Sequence, residues 1–378
     1  MKGFKKIAIK CMAFLSLFSV GAGIVGQSLA EAKGITPGST SVKSNIAKVA
    51  ALVDNNVEQY LDKNVVQPLP GVVQDNQTIS VIVELKGESV MDTFKAQSTV
   101  NTVSEYVNTS EAKLRAAQIE QEQNSWIYNL NKSGISYKLG ERYDTVLNGF
   151  EIEIRAKDFE KVNEFFGRSA TLTVGDEYAP ALAEPVTNYV DVYDTGIFDT
   201  SRSTYQGDGV VVAVLDTGLD YTHTAFSVDN FTTEIEAFTL DSVSEKVGET
   251  VASKFSKGLS GEDVYVNKKV PFAYDYADKD PDVLPINSDH GTHVAGIIAG
   301  KDQEITGVAP NAQLAIMKVF SDAQQGAKDS WILSALEDCV ALGVDVINMS
   351  LGSAGGFTRE VDKANKNNVY DKIREAGI

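Results

Sequence analysis

The 378 residues contain only three histidines. Two of them, His290 and His293, open the run NSDHGTHVAGIIAG at 287–300. A histidine next to a carboxylate can accept and return a proton near neutral pH, whereas two histidines one helical turn apart can share a metal ion. The metal reading needs a third ligand. The strong H-E-x-x-H pattern is absent, because Gly291 and Thr292 fill the middle, and only His223 and scattered acids remain. Plain core packing is the third reading of these histidines. For the acid–base reading the nominated carboxylate is Asp216, the first polar residue after Val210–Leu215 in GDGVVVAVLDTG. Thr217 and Gly218 then turn the chain sharply. An aspartate in that place also serves as a turn or helix-cap residue.

The elements that would hold these groups follow from the apolar pattern. Val210–Leu215 is an unbroken apolar run between glycines, which suits a strand buried on both faces. AQLAIMKVF (312–320) and VDVINMSLG (344–352) repeat the style, with helical segments at 290–300, 329–342 and 359–376. Strands alternating with helices imply a doubly wound α/β domain, whose ligand sites gather at the carboxyl ends of the strands. Asp216 falls at such an end. His290 falls at the N-terminal mouth of a helix with one face of small residues, Thr292, Ala295, Gly296 and Ala299. A second face, Val294, Ile297 and Ile298, is apolar, so the helix is expected to be buried and His293 with it, as a hydrogen-bonded support. The polar stretch 219–285 reads as a surface insertion with a few short elements.

Upstream, TISVIVEL (78–85), a helical pattern from Glu105 to Leu130, ISYKL, NGFEIEI, KDFEKVNEFF and ATLTV give the order β-α-β-β-α-β over 78–174. That is a small α+β, ferredoxin-like unit. Residues 175–206, with Pro180 and Pro185, read as a linker with a processing site. Residues 31–77 read as a linker or weakly ordered lead-in. Residues 1–30 combine Lys2, Lys5, Lys6 and Lys10 with an apolar stretch and small Ser28 and Ala30, the form of a cleaved secretory signal. After its removal no stretch is long and apolar enough to span a bilayer. Cys11 would leave with it, so Cys339 is the one remaining thiol and no internal disulfide is expected. The net charge of −18 argues against nucleic acid and anionic membrane as partners.

VVVAVLDTGLDYTH and DHGTHVAGIIAG resemble the Asp and His motifs of the subtilisin-like serine proteases (subtilases, peptidase S8), and DVINMSLG resembles the strand lining that family's substrate cleft. Asp before His is the chain order of that family. The resemblance implies a secreted or cell-envelope serine endopeptidase acting on polypeptides. In it Asp216 orients the imidazole and His290 is the general base and acid. Ser350, Leu351 and Gly352 offer backbone groups to an extended peptide, and Thr217, Gly218 and His293 support the site. Residues 78–174 resemble the family's propeptide, an intramolecular inhibitor, and 207–378 the N-terminal portion of the catalytic domain.

Some family features are missing. The serine motif G-T-S-x-[AS]-x-P and the oxyanion asparagine do not occur in the 378 residues, and Ser260, Ser350 and Ser353 are poor substitutes. The expectation is therefore an α/β domain incomplete at its C-terminus and a chain inactive by itself. The alternative is a non-catalytic pseudoprotease or propeptide-type inhibitor. A family calcium ligand is replaced by Ala225. No cofactor or metal site is assigned, and calcium in a complete enzyme is left open.

Overall fold

The computed structural model describes residues 75–94, 100, 102–175, 177–180, 206–324, 326–352, 369–375 and 377–378. The signal and most of the lead-in expected over 1–77, and all of 181–205, lie outside the described residues. Those described on either side of 181–205 fall in one compact unit.

Its N-terminal part runs β1 (Thr78–Leu85), α1 (Val103–Val107), α2 (Ser110–Lys132), β2 (Lys138–Tyr143), β3 (Gly149–Arg155), α3 (Phe159–Phe166), β4 (Ala170–Val174) and β5 (Glu177–Pro180). The first four strands make an antiparallel sheet in the order β2-β3-β1-β4. Its alternation is visible in β1, where Val81, Val83 and Leu85 bury against Phe150, Ile152, Val162 and Phe166. The split α+β order read from the sequence is present, with β2 beginning three residues later than ISYKL predicts. Residues 177–180, expected to be connector, are instead a strand.

The C-terminal part runs β6 (Val211–Asp216), α4 (Leu240–Val247), α5 (Val251–Phe255), α6 (Gly261–Val264), β7 (Phe272–Asp275), α7 (His290–Ala299), β8 (Gln313–Lys318), β9 (Ala327–Lys328), α8 (Asp329–Leu342), β10 (Val346–Asn348), β11 (Leu351–Gly352) and α9 (Val369–Glu375). Strands β10-β6-β8-β7, in that order, form a parallel sheet. β6 is buried on both faces because its residues alternate between two cores. Val211, Ala213 and Leu215 pack on the side of Ile332, Leu336 and Cys339 of α8, while Val212 and Val214 pack on the side of Val294, Ala295 and Ala299 of α7. Helices on opposite faces of a parallel sheet are the α/β layering that the apolar runs predict. One expectation needs correcting: 272–275, inside the supposed surface insertion, is a fully buried strand of this sheet. Four residues are too few to show a period, so the strand was hidden in the sequence.

Every residue of α8 is buried, acids included. The reason is tertiary. Asp338 caps α5, accepting from Val251 N at 2.6 Å and Ala252 N at 3.0 Å, and takes the Tyr276 hydroxyl at 2.8 Å. Glu337 accepts from the backbone N–H groups of Asp144 and Thr145, each at 3.2 Å, and of Val146 at 2.6 Å, all in the β2–β3 turn of the N-terminal part. Burial pushes both carboxyls up, Asp338 to about 6 and Glu337 to about 8, with the charge of Asp144 adding to the latter.

Candidate active site

Asp216 ends β6 and is 1% exposed. His290 begins α7. The carboxyl Oδ1 of Asp216 lies 2.8 Å from His290 Nδ1. A carboxylate oxygen accepts, so Nδ1 carries a proton, and whenever the ring is neutral its lone pair is on Nε2. The same Oδ1 accepts from Thr217 N at 2.7 Å, while Oδ2 is buried with no hydrogen-bond partner among the described residues. The side chain of His290 is 14% exposed, so the pair joins a buried anion to a ring at the surface.

The helix mouth is tied to the strand end by short contacts. Thr217 Oγ1 donates to Ser288 O at 3.0 Å and accepts from Gly291 N at 2.9 Å. Thr292 Oγ1 accepts from Asp220 N at 2.8 Å. Gly291 permits this approach, since a Cβ there would lie 2.3 Å from Gly218 O and 3.1 Å from the Asp216 Cβ. Gly218 has φ +110°, and a Cβ on it would lie 2.3 Å from Val283 O. Thr217 and Gly218 lie beside the Asp216–His290 contact, where support is expected. His293 does not: it is exposed, and the expected buried support is supplied by Thr217, Ser288 and Thr292. The helix turns its small and apolar residues Gly291, Val294, Ala295 and Ala299 inward, which leaves position 293 facing out. Nothing in the spacing H-x-x-H distinguished the two histidines.

The predicted peptide-binding residues also meet a partner. β11 pairs antiparallel with β5, Leu351 opposite Pro180 and Gly352 opposite Ala179. On its other side β5 pairs antiparallel with β9, Glu177 opposite Lys328 and Tyr178 opposite Ala327. An extended segment of the chain thus lies between two edges of the α/β part, making the middle strand of a three-stranded sheet in the order β11-β5-β9. The Ser350 hydroxyl points elsewhere, donating to Asn348 Oδ1 at 3.0 Å. The sequence reading missed the other wall, β9, because two residues carry no strand signal.

Among the described residues, Asp275, Asp278 and Asp322 are the acids grouped closely enough to hold a cation. A lysine already serves them. Lys318 Nζ lies 2.6 Å from Asp275 Oδ2, an ion pair without hydrogen-bond alignment, and donates to Asp322 Oδ2 at 2.7 Å. Burial would lower the Lys318 ammonium, but the two carboxylates outweigh it and the group is raised. Burial lifts Asp275 to about 6 in spite of the lysine.

Residues 207–376 match the sequence profile of the subtilase family. The PI-type proteinase of Lactococcus lactis subsp. cremoris is 35% identical over 229 residues, covering 57% of this chain and 11% of that protein. The minor extracellular protease Vpr of Bacillus subtilis (strain 168) is 23% identical over 369 residues, covering 91% of this chain and 35% of that protein. This chain therefore spans about a tenth and a third of the two relatives' lengths. Among solved structures, fervidolysin from Fervidobacterium pennivorans aligns with a TM-score of 0.48 at 16% identity, covering 80% of this chain and 39% of that one.

Proposed function

Residues 207–376 make this chain a member of the subtilase (peptidase S8) family, and from that premise we propose that it is the Asp- and His-bearing portion of a secreted or cell-envelope serine endopeptidase. The observation that carries the reading is the 2.8 Å contact of Asp216 Oδ1 with His290 Nδ1 at a strand end. In this reading Nε2 of His290 takes the proton of an attacking serine hydroxyl and passes it to the leaving amine. Asp216 fixes the tautomer and stabilises the imidazolium that forms. The serine of the family motif is not among these 378 residues. The polypeptide substrate adds as a strand between β9 and β11, main chain to main chain.

Residues 78–180 act as an inhibitory propeptide. What supports this is their strand β5 in the groove and Glu337 gripping their β2–β3 turn. Residues 1–30 are the secretory signal. The test compares casein hydrolysis and fluorophosphonate labelling by two proteins: the 378-residue chain, and the product of the coding sequence read on through the family serine motif. The longer protein is expected to turn over and to lose at least about 10⁴-fold in the His290→Ala variant. The short chain is expected to show negligible turnover. Fluorophosphonate-sensitive hydrolysis by the 378-residue chain, or full activity in His290→Ala, overturns the proposal. A stop codon after Ile378 in an intact gene favours the alternative, a non-catalytic inhibitor or peptide-binding protein.

A further inference from the structure

In the three-stranded sheet, the side chain of Tyr178 is only 6% exposed, and its hydroxyl donates to Oδ1 of Asp329 at 2.6 Å. That carboxylate is 1% exposed. We propose that the groove between β9 and β11 selects extended peptides carrying a tyrosine two positions before the residue that faces Leu351, and that Asp329 reads the tyrosine hydroxyl. The inference rests on the groove being the peptide site.

Three features fix this recognition. The register is set by main-chain pairing on both sides, Pro180 to Leu351 and Tyr178 to Ala327. The wall fits a backbone at that place: Gly326 has φ +80°, and a Cβ on it would lie 2.9 Å from the Tyr178 carbonyl oxygen. Asp329 is the first residue of α8, a helix of 14 residues, so its carboxyl stands at the positive end of the helix dipole. Its charge is felt by Tyr370, whose hydroxyl is pushed up to about 12 by burial first and by Asp329 second. The O–H···O contact of 2.6 Å is a short hydrogen bond. Phenylalanine would fill the same space without the hydroxyl, so the 2.6 Å bond to Asp329 would be lost. One charge-assisted bond corresponds to about ten- to a hundredfold in affinity, and sites built around a substrate hydroxyl discriminate by at least that much.

The test uses the full 378-residue chain, whose own β5 is the peptide. Amide exchange at Tyr178 and Ala179 reports how often the strand leaves the groove, and exchange in β6 controls for folding. Tyr178→Phe is expected to speed exchange at least tenfold in the native background, and to leave it unchanged or slow it in the Asp329→Leu background. In trans, the Tyr178→Ala chain, with its own strand released by the same measure, is expected to bind acetyl-Glu-Tyr-Ala-Pro-amide at least tenfold more tightly than the phenylalanine counterpart. Tyr178→Phe with no effect, an equal effect in both backgrounds, or equal affinity for the two peptides overturns the role of Asp329 and leaves the groove standing. Native Tyr178 and Ala179 exchanging as fast as a free peptide overturns the groove itself. If Asp329→Leu unfolds β6, the single Tyr178→Phe comparison and the peptide pair still decide.

Discussion

Gly291→Ala separates two physical effects that act in opposite directions. Position 291 lies in the first turn of α7, and replacing glycine with alanine inside a helix ordinarily stabilises by about 0.5–1 kcal/mol. Here the added Cβ would stand 2.3 Å from Gly218 O, against a closest tolerated approach of 3.0 Å. Gly218 is held in place by its neighbour, since Leu219 N donates to Val283 O at 2.8 Å. The helix mouth must therefore move by about 0.7 Å, the gap between the two distances. Added in full to the 2.8 Å Asp216–His290 contact, that displacement carries it beyond the ~2.7–3.2 Å range of an N–H···O bond. Overpacking of this kind costs about 1–3 kcal/mol, so set against the propensity gain the net change is a loss of up to about 2.5 kcal/mol. Urea unfolding followed by amide exchange in β6 measures the stability. The low-field proton resonance of His290 Nδ1 reports the contact. In a complete enzyme a misplacement approaching 1 Å lowers turnover about a hundredfold. A Gly291→Ala chain that is as stable as the parent or more so, with the His290 resonance unmoved, refutes the claim that close backbone approach builds the site.

Glu337→Gln replaces one of two accepting oxygens with an N–H₂, which must then face backbone N–H groups of 144–146. It should release the β2–β3 turn by about 2 kcal/mol, seen as roughly thirtyfold faster chymotryptic cleavage after Tyr143. Lys269, buried and donating to the carbonyls of Pro310 and Ala312, is lowered from 10.5 to about 7 by burial first and Lys301 second. The folded state binds fewer protons than the unfolded state in that window, so stability should rise with pH from about 7 to about 10.5. Lys269→Met should flatten the rise in a denaturant series. Lys318→Met leaves Asp275 buried without its counter-charge and should cost about 3–5 kcal/mol. Because Asp275 is raised to about 6, the loss should be smallest below that pH, as thermal melts at pH 5 and pH 8 will show.

Local sequence determined the parts of this protein that depend on neighbours in the chain. The run Val210–Leu215 ending in Asp216, and His290 opening a helix of small residues, are patterns of adjacent positions. They foretold a strand end and a helix mouth, and the alternation in 78–174 foretold the antiparallel unit. The tertiary structure decided what depends on which surfaces meet. The sequence placed His290 at the helix mouth and expected His293 buried behind it, and only the packing of α7 through Gly291, Val294 and Ala295 turns His293 to solvent. β7, β9 and β11 are two to four residues long and exist as strands through their partners, not through their own propensity. Glu337 and Asp338, acids in a segment the sequence marks only as helical, meet backbone N–H groups from the distant segments 144–146 and 251–252 where they are buried. A buried carboxylate takes its meaning from the donors around it, and those come from elsewhere in the chain.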